Sequence, residues 1–314
     1  MKHFTSANDS ADPLVLARQT IALKNQKQNF EHLGRSKTLG LVFFNPSLRT
    51  RMSTTKAAYD LGLNVLVLNV NGDAWNIEFE DGTVMDGSSQ EHVKDAIKVM
   101  TGYCDIIGVR TFAELKNRED DYTEPVLNAF LEYSEVPVIS LESATLHPLQ
   151  SLADITTILE TDISNPKIAV SWAPHPKALP QAVTNSFLQW IKFIEAEVVV
   201  AHPKGYELHE EFTGGFELTN DQSYALDSAD FVYVKNWSSY SKYGQRPPVS
   251  QNWTITSEKM AATNSGSFMH CLPIRRNVVA EDQVIDNSLI YKQAKNRETA
   301  AKTVLKNILE DINE

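Results

Sequence analysis

Eight short runs of apolar, β-branched and aromatic residues punctuate the chain: 38–44 (TLGLVFF), 64–70 (NVLVLNV), 104–109 (CDIIGV), 136–141 (VPVISL), 167–173 (KIAVSWA), 196–202 (AEVVVAH), 229–235 (ADFVYVK) and 267–271 (SFMHC). None alternates strictly between apolar and polar positions, so each reads as a strand covered on both faces. Between them, apolar residues recur at helical spacing, as in 50–61 (TRMSTTKAAYDL). Strands alternating with helices predict an α/β chain, here two doubly wound parallel-sheet domains with four of the runs in each half. Residues 149–160 (LQSLADITTILE) read as a connecting helix and Ser164, Asn165 and Pro166 as a turn. The expected division is 1–148 and 149–288, with a last helix over 289–314 packing back on the first domain.

Ligands of such sheets bind beyond the carboxyl ends of the strands, so the loops after the runs should carry the chemistry. The first such loop is the most informative. Pro46 stops the run at 38–44, and the turn of Ser47, Leu48, Arg49 and Thr50 opens the helix that follows. Unpaired backbone N–H groups and the positive end of the helix dipole face outward there, joined by two hydroxyls and a forked cation. That is an anion site suited to phosphate. The glycine spacings of a Walker loop and of a dinucleotide fingerprint are both missing, so the phosphate is expected on a small substrate. The plainer reading is an ordinary helix cap with a surface arginine. Further along, Arg110, Glu142, His147, Gln150, His175, Lys177, Lys235 and the segment 270–276 all follow predicted strands. His202 also ends a run and is read as structural.

Composition narrows the classes. Among 314 residues, 40 Asp and Glu exceed 29 Lys and Arg, a formal net charge of -11 that argues against a nucleic-acid partner. Cys104 and Cys271 are the only cysteines, too few for a disulfide framework. No run of eighteen apolar residues and no apolar leader is visible, which predicts no membrane partner and a cytoplasmic location. Cys271 is expected to matter through its backbone more than its thiol.

Taken together, the turn from Ser47 to Arg51, the lone Arg110, the His147-Pro148-Leu149-Gln150 motif and the His270-Cys271-Leu272-Pro273 motif resemble the carbamoyltransferases, in order and over nearly the whole chain. The resemblance implies transfer of a carbamoyl group from carbamoyl phosphate to an amine, with no metal and no organic cofactor. It also implies a homotrimer with shared active sites. Ser47, the Leu48 backbone, Arg49, Thr50 and Arg297 would hold the phosphate. Arg110, His147 and the Thr50 hydroxyl would polarise the carbonyl as a tetrahedral centre forms. Gln150 and the backbone carbonyls of Cys271 and Leu272 would hold the carbamoyl NH2. No carboxylate base is required, because the leaving phosphate can take the proton of the amine.

The resemblance also bears on the amine. The Asp-x-x-x-Ser-Met-Gly segment of ornithine enzymes is missing, and Lys235, which ends the run at 229–235, is followed by Asn236 and Trp237. A cation there would repel a free α-ammonium and accept the α-carboxylate of an N-acylated ornithine. Trp75 matches that acylornithine branch, in which the aromatic comes from a neighbouring subunit, and is expected at the carbamoyl phosphate site. Glu142, His175, Lys177, Lys235, Leu272, Arg276 and Gln90 are the residues expected around the acylornithine. Acetyl-type members carry Glu where this chain has Gln90, and a lysine where it has Val279. Both differences favour N-succinyl-L-ornithine, giving N-succinyl-L-citrulline in arginine biosynthesis. The alternatives are an N-acetylornithine enzyme and a non-catalytic paralogue that binds carbamoyl phosphate.

Overall fold

The computed structural model describes residues 1–26 and 28–314. It divides into two compact units, one of Met1–Ala113, Glu119–Leu149 and Arg297–Glu314, the other of Glu114–Arg118 and Gln150–Asn296. The division at 149/150 lies one residue from the expected place. The last helix, Ile290–Asn313, contributes its first turns to the second unit and only the remainder to the first, so the part assigned to the first unit starts at Arg297.

In the first unit the strands are β1 (Thr38–Phe43), β2 (Asn64–Asn69), the short pair β3 (Ile77–Glu78) and β4 (Glu91–His92), β5 (Ile106–Arg110) and β6 (Val138–Glu142). Four of them form a parallel sheet in the order β2-β1-β5-β6, while β3 and β4 pair only with each other. Leu39, Leu41, Val42 and Phe43 of β1 and Ile106, Ile107 and Val109 of β5 are buried, as runs covered on both faces must be. At Gly40, a Cβ would come within 2.8 Å of the Cys104 Sγ and of the Ile107 side chain, so these two side chains fill the space a larger residue would need. In this unit the predicted runs at 104 and 136 begin two residues before β5 and β6. The strand after Cys104 starts only at Ile106, because the Asp105 carboxylate turns back to accept the Thr38 N–H at 2.8 Å.

The second unit holds β7 (Lys167–Trp172), β8 (Glu197–Ala201), β9 (Glu217–Thr219), β10 (Phe231–Lys235) and β11 (Ser267–Met269), all parallel, in the order β11-β10-β7-β8-β9. Short, polar β9 gives no apolar run, which hid it in the sequence. The helix Ala182–Ile191 that follows β7 buries nearly every side chain.

Candidate active site

Register builds the first cluster. Phe43 at the end of β1 pairs with Arg110 at the end of β5, and Arg110 pairs in turn with Glu142 at the end of β6. The turn after β1 therefore lies beside Arg110, whose Nη1 donates to the carbonyls of Asn45 at 3.2 Å and Pro46 at 3.1 Å. Its Nη2 donates to Glu142 Oε2 at 2.7 Å, and both side chains are buried. The helix Arg49–Tyr59 begins in this turn, and no side chain caps its N-terminus. The ordinary-cap reading is thereby set aside among the described residues. Arg51, the second arginine of the motif, instead bonds Asn69 and covers the Phe43 ring, so it ties the helix to the sheet.

Arg297 reaches the same place from the last helix. Its Nη2 donates to Thr50 Oγ1 at 2.9 Å, and its Nη1 lies 3.3 Å from His147 Nε2. A guanidinium only donates, so in this contact Nε2 is the accepting atom. By the same logic the Thr50 oxygen accepts from Arg297 while its O–H remains a donor. His147 Nε2 is also 3.6 Å from Glu142. The loop that presents His147 is held by Glu124, whose carboxylate accepts from the Ser143 and Thr145 hydroxyls and from the backbone of Ala144 and Thr145. The first unit thus gathers Ser47, Leu48, Arg49, Thr50, Arg110, Glu142, His147 and Arg297 at the carboxyl end of one sheet.

A second cluster occupies the strand ends of the other sheet. Lys235 pairs in register with Trp172, so it stands beside the loop that carries His175 and Lys177. Asn236 fixes that loop by donating to the carbonyls of Ala173 at 2.9 Å and Pro174 at 2.7 Å. Arg246 Nη1 donates to the His175 carbonyl at 2.8 Å, and Arg275 Nε donates to His175 Nε2 at 3.1 Å. Partial burial, followed by the charges of Arg275, Lys235 and Arg246, holds the His175 imidazole below its ordinary pKa. Arg276 lies elsewhere: its guanidinium is forked between Asp282 at 3.0 Å and Asp286 at 2.7 Å, so the arginine beside His175 is Arg275, which sequence reasoning did not single out. Beyond β11, the ring of His270 accepts the Leu272 N–H at 2.9 Å, and Leu272 holds φ at 59° before a cis bond to Pro273. Gln150 opens the second unit on the helix Pro148–Leu159.

Sequence reasoning also passed over Asn185. It is fully buried in the helix Ala182–Ile191, and neither end of its side-chain amide has a hydrogen-bond partner among the described residues. Its signal is chemical rather than periodic, a polar residue inside a helix that is otherwise packed away. Trp75 and Gln90 are exposed, in the segment that carries β3 and β4. There the Trp75 Nε1 donates to Glu91 Oε2 at 2.7 Å and the Gln90 N–H to the Asn76 carbonyl at 3.0 Å.

Residues 2–160 match the family profile of the aspartate/ornithine carbamoyltransferase carbamoyl-P binding domain, and residues 180–308 that of the Asp/Orn binding domain. An N-succinylornithine carbamoyltransferase of Bacteroides fragilis is 48% identical over 99% of this chain and all of its own. An N-acetylornithine carbamoyltransferase of Xanthomonas campestris is 37% identical over 97% of each chain. Among solved structures, a glutamate-to-valine variant of N-acetyl-L-ornithine transcarbamylase, complexed with carbamyl phosphate and N-succinyl-L-norvaline, superposes with a TM-score of 0.91 at 36% identity, covering 98% of this chain and all of that one. The chain belongs to the aspartate/ornithine carbamoyltransferase family.

Proposed function

We propose that the chain transfers the carbamoyl group of carbamoyl phosphate to the δ-amine of N-succinyl-L-ornithine, a step of arginine biosynthesis, with N-succinyl-L-citrulline and phosphate as products. The observation that carries the acyl assignment is the set of cations at the strand ends of the second unit: Lys235 beside the 173–177 loop, with Arg275 and Arg246 both bonded to His175. Such a group repels a free α-ammonium and accommodates two carboxylates, the α-carboxylate and that of the succinyl chain. Gln90 adds no opposing charge, and Glu91 has its carboxylate engaged by the Trp75 indole. The relative of known structure that holds N-succinyl-L-norvaline has itself lost a glutamate.

In this reading the uncapped start of the helix Arg49–Tyr59, with Ser47, Arg49 and Thr50, takes the phosphate. The Thr50 O–H, Arg110 and His147 face the carbonyl oxygen as it gains charge. Gln150 and the carbonyls of Cys271 and Leu272 take the NH2, and the departing phosphate accepts the proton of the amine. Arg49→Ala is expected to weaken carbamoyl phosphate binding by roughly 10- to 100-fold, as loss of a charge-assisted hydrogen bond should. Titration calorimetry checks it, and unchanged affinity removes Arg49 from the phosphate site. The acylated class is tested by turnover with N-succinyl-L-ornithine against L-ornithine: only the acylated amine should react, and efficient use of free ornithine contradicts the role given to Lys235.

The working form we propose is a cytoplasmic homotrimer. Support comes from the apolar groups left uncovered in the first unit: β2 is an edge strand with Leu66 and Val67 exposed, and the neighbouring helix Arg49–Tyr59 exposes Met52 and Tyr59. Trp75 is 53% exposed, which suits an aromatic meant for an adjacent chain. Neither cysteine is in a disulfide, and among the described residues no helix is long and apolar enough to cross a membrane. If Trp75 serves the adjacent chain's site, mixing inactive Trp75→Ala and Arg110→Ala chains should restore part of the activity. Complete absence of complementation would speak against sharing.

A further inference from the structure

Residues 114–118 leave the unit that surrounds them in sequence. The chain belongs to the first unit up to Ala113 and again from Glu119, but these five residues pack with the second. They meet the turn 239–245 that follows β10. Arg118 Nη1 donates to the Tyr240 carbonyl at 3.3 Å, and its guanidinium lies over the Tyr240 ring, 4.6 Å from the centroid. The other face of contact is Gly244, whose φ is 69° and at which a Cβ would collide with the Leu115 carbonyl. Only glycine suits that place. Leu115 itself holds φ at 61°, a left-handed setting that an L side chain keeps only when its surroundings impose it.

The turn is closed on itself. The Ser239 N–H donates to the Gln245 carbonyl at 3.1 Å, the Gln245 N–H to the Lys242 carbonyl at 2.9 Å, and the Lys242 N–H to the Ser239 hydroxyl at 3.0 Å. On one side Ser238 anchors it, with its N–H on the Leu179 carbonyl at 2.9 Å and its own carbonyl accepting from Gln181 Nε2 at 2.8 Å. On the other side stands Arg246, bonded to the His175 carbonyl, followed by Pro247, whose carbonyl accepts the Tyr206 hydroxyl at 2.8 Å. An internally bonded turn shifts as one body, so whatever holds Tyr240 and Gly244 also sets where Arg246 stands.

We infer that residues 114–118 are a clasp for this turn. Arg118 and Gly244 are positioning residues that keep Arg246 on the 173–177 loop, and so fix the spacing of the cations that receive the carboxylates of the acylornithine. The inference rests on the role proposed above for those cations. Because the clasp acts only through the turn, it bears on the amine substrate and not on carbamoyl phosphate.

The test is titration calorimetry on the full chain, first with carbamoyl phosphate and then, at saturating carbamoyl phosphate, with N-succinyl-L-norvaline, which lacks the reacting δ-amine and binds without turnover. Arg118 is exposed, so Arg118→Ala should leave the chain folded. It is expected to weaken N-succinyl-L-norvaline about 3- to 10-fold, the worth of one exposed cation–π contact and one hydrogen bond, with carbamoyl phosphate changed by no more than about twofold. Arg118→Lys keeps a cation over the ring and a donor for the carbonyl, and should restore most of the affinity. Gly244→Ala should give the same selective loss, and a larger one. Unchanged affinity for N-succinyl-L-norvaline in Arg118→Ala, equal weakening of both ligands, or no rescue by lysine overturns the inference. The unaltered chain separates the two levels. If it binds N-acetyl-L-norvaline more tightly than the succinyl compound, the succinyl reading fails, and the clasp is judged on the acetyl compound, whose α-carboxylate meets the same cations. Binding of neither removes those cations from the amine site and the inference with them.

Discussion

Arg110→Ala is expected to lower kcat by about 10²- to 10³-fold, the usual loss when one donor to a developing oxyanion is removed, and separately to cost about 3–5 kcal/mol of stability. The two effects have different origins. Catalysis loses a guanidinium that faces the carbamoyl oxygen in the proposed reaction. Stability suffers because Glu142, buried beside it at 2.7 Å, is left as a carboxylate without its main cation. The carbonyls of Asn45 and Pro46 also lose their donor, which loosens the turn that starts the phosphate site. A double variant, Arg110→Ala with Glu142→Gln, removes the stranded charge. It should regain most of the thermal stability and none of the turnover. Recovery of turnover in the double variant would reduce Arg110 to a structural partner of Glu142.

Gln90→Glu is the second large effect. Placing a carboxylate in the loop proposed to meet the acyl group sets it against the succinyl carboxylate. A like-charge contact in a partly desolvated site costs several kcal/mol, so kcat/KM for N-succinyl-L-ornithine should fall by about 10²- to 10³-fold. Use of N-acetyl-L-ornithine, which has no second carboxylate, should change little. The tether of Gln90 to Asn76 and the Trp75 bond to Glu91 involve the loop's backbone and neighbours rather than the Gln90 side chain, so the loop itself should survive the exchange. An equal loss for both amines would mean that the variant disturbs the loop and does not act through charge.

Most of the architecture was legible because it rests on buried parallel strands. Runs such as 38–44 and 229–235 are apolar on both faces, a pattern that few other structures share, and β1 and β10 lie within them. What escaped was short or polar: β9, with Glu217 and Leu218 exposed, and the two-residue β3 and β4. The turn at the start of the helix Arg49–Tyr59 could be placed because its signals, Pro46 and the residues that follow it, are local. Contacts between residues far apart in sequence could not. No spacing rule brings Arg275 to His175, separates Arg276 toward Asp282 and Asp286, or sets Gln293 against Asp154 across 139 positions. The Arg110 to Glu142 pair was equally hidden, since it depends on strand register. Glu124 and Asn185 were missed for a related reason, because a polar residue with a buried role carries no periodic signal.

The account turns on the identity of the acyl group, and the ratio of kcat/KM for N-succinyl-L-ornithine to that for N-acetyl-L-ornithine, measured by citrulline-type product formed from carbamoyl phosphate, tests it most directly. A ratio well above one is predicted from the cations around His175 and the neutral Gln90. A ratio below one would contradict the account and place the chain with the N-acetylornithine enzymes.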